Sequence, residues 1–175
     1  PRAAAAPWRA LALVPTRELA EQVADVADAL AAASGIHLRT STLAAAPGGA
    51  ATTGNASSNP SSLSRECQPA RCGQLVVSTP GRLASALRDA RLTPRMLSNL
   101  SLLAVDEADL LLSLPGYSAD VAAAAAALPR SAQRILLSAT SAAAVDELGE
   151  LMLQSPVRID ATGFVEGDGG NGGKG

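Results

Sequence analysis

Two adjacent carboxylates and a third two residues on, in Asp106-Glu107-Ala108-Asp109, follow directly on the apolar run Leu102-Leu103-Ala104-Val105. A strand-length run that ends in Asp-Glu puts acid groups at the carboxyl end of a strand, where open α/β sheets gather their ligands. One carboxylate there can hold Mg²⁺, directly or through water, while its neighbour positions or deprotonates an attacking water. Taken alone, the same residues fit a solvated acidic turn equally well. Their companions elsewhere in the chain decide between the two.

Three other stretches carry chemistry at strand ends: Pro15-Thr16-Arg17-Glu18-Leu19-Ala20, Thr79-Pro80-Gly81-Arg82 and Ser138-Ala139-Thr140. Thr16 and Thr79 suit helix N-caps, and Pro80 suits the first helical position. A helix start offers backbone N–H groups and a positive dipole end to a phosphate. Gly81 permits close backbone approach, and Arg17 and Arg82 can add charged contacts. Each stretch also has a plainer reading. Thr16 and Thr79 can simply cap while their arginines are solvated, Ser138-Ala139-Thr140 can cap the helix that follows, and Asp109 can be a solvated acid.

The elements that must position these groups alternate in type. Strands are predicted at Arg9–Val14, within Ile36–Leu43, at Gln74–Ser78, Leu102–Val105 and Arg134–Leu137, with a last one at Val157–Ile159. A helix begins at Arg17, with Leu19, Val23, Val26 and Leu30 spaced as one buried face, and Ser34-Gly35 ends it. A second runs from Pro80 through Leu83 and Leu87 to about Asp89. A third spans Tyr117–Leu128, closed by Pro129, and a fourth has Val145, Leu148 and Met152 along one face. Alternating strand and helix implies βαβ units and a mainly parallel, three-layer α/β domain. Residues 44–73 are rich in Gly, Ser, Asn, Pro, Thr and Ala without periodicity, and read as a low-complexity loop insertion. The glycine-rich tail, 161–175, reads as disordered.

Composition narrows the function classes. Hydrophobic residues make up 47% of the chain, yet Trp8, Tyr117 and Phe164 are its only aromatics. The core must therefore be Ala, Leu, Val and Ile, as in helices packed on a parallel sheet, and stacking platforms for single-stranded nucleic acid are disfavoured. A net charge of -2 gives no general pull toward nucleic acid, so any such contact is local. No run of about 18 uncharged apolar residues marks a membrane helix, and Arg9 and Arg17 interrupt any secretory core. Cys67, Cys72 and the single His37 fall short of the roughly four ligands of a zinc site, so reduced thiols and an intracellular setting are expected.

In order and spacing, the four stretches resemble motifs Ia, Ib, II and III of the DEAD-box RNA helicases, in the first of that family's two RecA-like domains. The resemblance covers about residues 9–160 apart from 44–73. It implies a three-layer RecA-like fold of the P-loop NTPase type, truncated at its N-terminal side, with residues 1–160 as a partial helicase ATP-binding domain. ATP and Mg²⁺ are the implied cofactors. Asp106 would contact the Mg²⁺ that bridges ATP's outer phosphates, and Glu107 would orient and activate the hydrolytic water. Asp109 would hydrogen-bond Ser138 and Thr140 and link the nucleotide site to domain movement. Pro15, Thr16, Arg17, Thr79, Pro80, Gly81 and Arg82 would grip RNA phosphates without reading bases. The other implied partner is the second RecA-like domain. Asp-Leu-Leu-Leu-Ser from Asp109 looks like a nucleolar ribosome-biogenesis branch, and Pro47-Gly48-Gly49 could occupy the family's Gly-Gly motif.

One part of the family pattern is absent. A P-loop needs G-x-x-x-x-G-K-[ST], and the only lysine, Lys174, lies in Gly172-Gly173-Lys174-Gly175 with no hydroxyl after it. The adenine-reading element and the second domain with its arginine finger are not in the sequence either. A fragment or truncated gene model is therefore expected, with apolar sheet and helix surface exposed, marginal stability, and no ATP hydrolysis by this polypeptide alone. The main alternative is a non-catalytic RNA-binding or scaffold remnant of a helicase domain. A metal-dependent hydrolase or nuclease built on the three acids would need further ligands at strand ends, which finish instead in Pro15, Thr79 and Ser138.

Overall fold

The computed structural model describes residues 8–43, 66–67, 72–113, 117–140 and 143–159. Its frame is one sheet of six strands in the order β3-β2-β4-β1-β5-β6, with every pairing parallel. The strands are β1 (Ala10–Leu13), β2 (Thr40–Leu43), β3 (Glu66–Cys67), β4 (Leu75–Ser78), β5 (Leu102–Val105) and β6 (Gln133–Leu136). The helices are α1 (Arg17–Ala33), α2 (Pro80–Arg88), α3 (Pro94–Leu97), α4 (Ala108–Ser113), α5 (Tyr117–Ala127) and α6 (Ala143–Met152). The three-layer α/β architecture read from the sequence is the one observed.

Strand alternation sorts the core into two clusters. Leu11, Leu13, Val76, Leu103 and Val105 point to one face, where they pack with residues of α2 to α6 such as Leu83, Leu97, Leu111, Val121 and Leu148. On the opposite face Val77 packs with Val14 and with Ala20 and Ala24 of α1. The chain thus leaves β1 toward β2 over one face and returns from β4 to β5 over the other. Parallel connections are right-handed, so moving in opposite directions along the sheet requires opposite faces.

Helix α1 buries a different stripe from the one its large apolar residues predict. Ala20, Ala24 and Ala31 are buried, Leu19 and Val23 are half-buried, and Val26 and Leu30 are 58% and 63% exposed. Alanine lets the helix axis approach the sheet closely over β4 and β2, and the larger side chains are then turned outward. The strand expected at Val157–Ile159 is not formed: both residues are exposed in irregular backbone. Ser155, at φ 48° just before Pro156, departs from the extended backbone that a strand requires. Within the stretch read as a loop insertion, Glu66–Cys67 pairs with Thr42 and Leu43 of β2. The rest of that stretch up to residue 71, including Pro47-Gly48-Gly49, and the tail with Lys174 lie outside the described residues.

Candidate functional site

The register aligns the carboxyl ends of four strands on one rim. Leu13 is level with Ser78 on one side and with Val105 on the other, and Val105 is level with Leu136. The residues that follow these four positions are the four stretches singled out above. They leave the sheet side by side although up to about 120 residues separate them in the chain, as a parallel sheet with crossover connections requires.

The rim has two parts. Between β1 and β4 the chain reverses its direction along the sheet, and α1 and α2 depart to opposite faces. This is the topological switch point, where open α/β sheets form a crevice. Pro15-Thr16-Arg17 borders it on one side and Thr79-Pro80-Gly81-Arg82 on the other. Thr16 adopts an extended N-cap conformation, and its hydroxyl accepts from the Leu19 N–H at 3.1 Å. Thr79 takes the same position for α2 with Pro80 as the first helical residue, but its side chain makes no capping bond. The Arg17 guanidinium lies 3.1 Å from Glu21 on the surface of α1. Arg82 donates at 2.9 Å to the Leu43 carbonyl at the end of β2, so one of its nitrogens is used to hold the neighbouring strand. The sequence leaves Arg82 either as a charged contact to phosphate or as a solvated side chain. In the fold it is half-buried and doubles as a tether.

At the β5–β6 end lies the acidic half. The Asp106 N–H donates to the Leu13 carbonyl, and the Ala108 N–H donates to the Leu137 carbonyl, which pins the acidic stretch between β1 and β6. Between them Glu107 has φ 50°, a left-handed conformation unusual for a residue with a Cβ. Its N–H donates to Asp106 Oδ1 at 2.9 Å, and its carbonyl accepts from Leu111 to start α4. The turn leaves Asp106 half-buried at the strand end and Glu107 exposed beside it. This strained turn is a feature the residue types alone did not announce.

Asp109, one residue into α4, accepts a hydrogen bond from the Thr140 hydroxyl at 2.9 Å. That bond, opposed in part by desolvation, holds the Asp109 carboxyl below the ordinary carboxylate range, helped by the Leu110 N–H, the Ser138 hydroxyl and its own N–H. Ser138 also accepts from the Thr140 N–H at 3.3 Å, so the Ser-Ala-Thr turn is folded toward the acid. One of the three acids is thereby set apart: Asp109 is engaged by the Ser-Ala-Thr turn after β6, whereas Asp106 and Glu107 stand at the rim.

The donor set suits a hard cation only in company with a ligand. Among the described residues no group of three His, Cys, Asp or Glu side chains could hold a metal by itself. Mg²⁺ is commonly held by one or two carboxylates plus substrate phosphates and water, and Asp106 at the strand end fits that pattern. Among the described residues no helix is long and apolar enough to cross a membrane. One neighbour of the rim had no signal beyond its aromatic type: Tyr117, at the start of α5, whose hydroxyl lies 3.3 Å from the Pro15 carbonyl.

Comparison with known proteins gives the same arrangement a lineage. Residues 4–148 match the family model described as DEAD/DEAH box helicase. The chain is 41% identical over 147 residues to the ATP-dependent RNA helicase dbp9 of Aspergillus terreus, a match covering 84% of this chain and 21% of that protein. With the protein of the same name from Coccidioides immitis the identity is 35% over 148 residues, covering 85% and 21%. The chain thus spans about a fifth of the length of the curated relatives it matches. Among solved structures, the fold superimposes on S. cerevisiae Dbp5 bound to RNA and ADP BeF3 with a TM-score of 0.60 at 22% identity, covering 85% of this chain and 32% of that one. A DEAD box protein from the hyperthermophile Methanococcus jannaschii gives 0.63 at 27% identity, covering 83% and 34%. With its four signature stretches on a single rim and the family match running through them, the chain belongs to the DEAD/DEAH box helicases.

Proposed function

We propose that this chain carries part of the working face of an ATP-dependent RNA helicase, in which ATP hydrolysis at β5–β6 is coupled to RNA held at the β1–β4 crevice. The observation that carries the reading is the Asp109–Thr140 hydrogen bond, which ties the acidic stretch to the Ser-Ala-Thr turn on the rim that also bears both helix starts. In this reading Asp106 would hold Mg²⁺ together with ATP's phosphates, and the ion would supply charge neutralisation at the transferring phosphoryl group. Glu107, exposed and fixed by its left-handed backbone, takes the proton of the attacking water. Asp109, Ser138 and Thr140 couple the state of that site to movement against a second RecA-like domain. Pro15, Thr16, Arg17, Thr79, Pro80 and Gly81 grip successive RNA phosphates, with Arg82 adding charge while it anchors β2. The contacts are to backbone, so recognition is independent of base sequence. An intracellular, nucleolar or nuclear site of action and a role in ribosome biogenesis belong to the same proposal, through the Asp-Leu-Leu-Leu-Ser resemblance.

The test is RNA-stimulated phosphate release by the full-length protein. Stimulation by single-stranded RNA and loss of turnover in Glu107→Gln are expected; undiminished turnover in that variant would sink the reading. The 175-residue chain alone is expected to stay at background with RNA present, because no P-loop lysine cradles the phosphates. A second reading is a non-catalytic RNA-binding or scaffold remnant of a helicase domain. A transcript with an in-frame P-loop upstream of Pro1 decides for the helicase, and a start codon near Pro1 for the remnant.

A further inference from the structure

Helix α5 stands where the two helix starts of the crevice come together, and the established motifs do not account for it. Its first residue, Tyr117, lies with its hydroxyl 3.3 Å from the Pro15 carbonyl, the last peptide before the Thr16 N-cap of α1. The ring is half-buried and packs on the main core cluster, so the hydroxyl is delivered from a fixed base. One turn later Asp120 approaches the start of α2: a Cβ built on Gly81 would sit 3.4 Å from Asp120 Oδ2. The other oxygen of Asp120 accepts from Arg88 at 3.3 Å, at the far end of α2. The first turn of α5 therefore touches both borders of the crevice, although α1 and α2 lie on opposite faces of the sheet. It also follows α4, and hence Asp109, after only three intervening residues.

We propose that Tyr117 is a positioning residue for RNA: its hydroxyl fixes the Pro15–Thr16 turn, and through it the start of α1, at the spacing from the α2 start that successive phosphates require. The proposal rests on the reading of these helix starts as the RNA grip. The chemistry asked of Tyr117 is one hydrogen bond to a carbonyl, and the partner recognised is a single-stranded RNA backbone. Loss of that bond lets the turn sample other positions, so the phosphate contacts of Thr16 and Arg17 are made less often.

The test uses the full-length protein, a fluorescent oligouridine and a non-hydrolysable ATP analogue, at a temperature where circular dichroism shows every variant folded. Tyr117→Phe keeps the packed ring and deletes one oxygen, and it should weaken RNA binding by about two- to tenfold. A double-mutant cycle separates positioning from general loosening. Tyr117→Phe combined with Thr16→Ala should lose less than the product of the single effects, since both act on one turn. Combined with Thr79→Ala, across the crevice, it should lose about the product. An unchanged RNA affinity in Tyr117→Phe, or multiplicative losses with Thr16→Ala, overturns the proposal. Arg17→Ala distinguishes the two levels. If it weakens binding and Tyr117→Phe does not, the positioning role alone falls; if neither changes binding, the RNA grip falls with it.

Discussion

Thr140 and Asp109 meet at 2.9 Å across the ends of β5 and β6, and this contact has a pH signature. The Thr140 hydroxyl favours the ionised Asp109 more than any other group around it, so the folded-state pKa lies below the unfolded one. A depressed carboxyl pKa contributes stability above its unfolded value, and loses it as the pH falls through the folded value. The link is therefore intact throughout the neutral range and weakens only in acid, below the ordinary carboxylate pKa. In Thr140→Val the Asp109 titration should move upward toward the ordinary range, read from its carboxyl carbon shift by NMR; an unmoved titration would mean the bond does not form in solution. Glu107 provides a second residue-scale prediction. Its left-handed backbone is strained for any residue with a Cβ, and its side chain is exposed, so Glu107→Gly relieves strain while losing little packing. Urea unfolding should show a gain of about 0.5–1 kcal/mol alongside loss of hydrolysis, a trade of stability for function. A variant less stable than the parent would mean the Glu107 side chain is bonded locally. None of this strain was legible in the sequence. The four letters fix which acids stand at the strand end, whereas the torsion angle is set by the need to start α4 one residue after the carboxylates.

Among the elements, Arg134 shows how one side chain can fix two helices. From β6 its guanidinium donates to the Met152 carbonyl at 2.9 Å and to the Ala125 carbonyl at 3.3 Å, in the last turns of α6 and α5. Those carbonyls have no intrahelical partner further along, and a cation at a helix C-terminus is also favoured by the dipole. Arg134→Met keeps the packed stem and removes the fork, and should cost about 2–3 kcal/mol in chemical denaturation. The exposed pair Arg158–Asp146, at 3.3 Å, should cost under about 1 kcal/mol when broken. Equal losses would show that the two carbonyls are satisfied by solvent. The elements themselves were largely legible because their boundaries carry local chemistry: Thr16 before α1, Thr79-Pro80 before α2, Pro129 after α5. The short helix α3 bears the same mark in Thr93-Pro94, but its four residues are too few to show a helical period. The buried stripe of α1 was not legible. Leucine and valine spacing predicts a face from hydrophobicity alone, but close approach to the sheet selects the alanines.

For the whole molecule, coverage of the sheet is uneven, and that sets its behaviour in solution. Helix α1 lies over β4 and β2 on its face, but on the same face at the other side of the sheet Ile135 and Leu137 are 36% and 47% exposed. Among the described residues β6 has no strand on its outer side. An edge with apolar side chains and unpaired peptide groups templates further strand addition. The chain expressed alone should therefore self-associate at micromolar concentration, seen as time-dependent light scattering with a rising thioflavin signal. Placing charge on that face, as Ile135→Lys with Leu137→Lys, should slow the onset about tenfold or more, whereas Val26→Lys with Leu30→Lys on α1 should have little effect. The contrast is what tests the idea, because the second pair removes as much exposed apolar surface without touching an open edge. Equal protection by both pairs would assign the association to general surface hydrophobicity. A parent chain that stays monomeric would show that the edge of β6 is protected in solution.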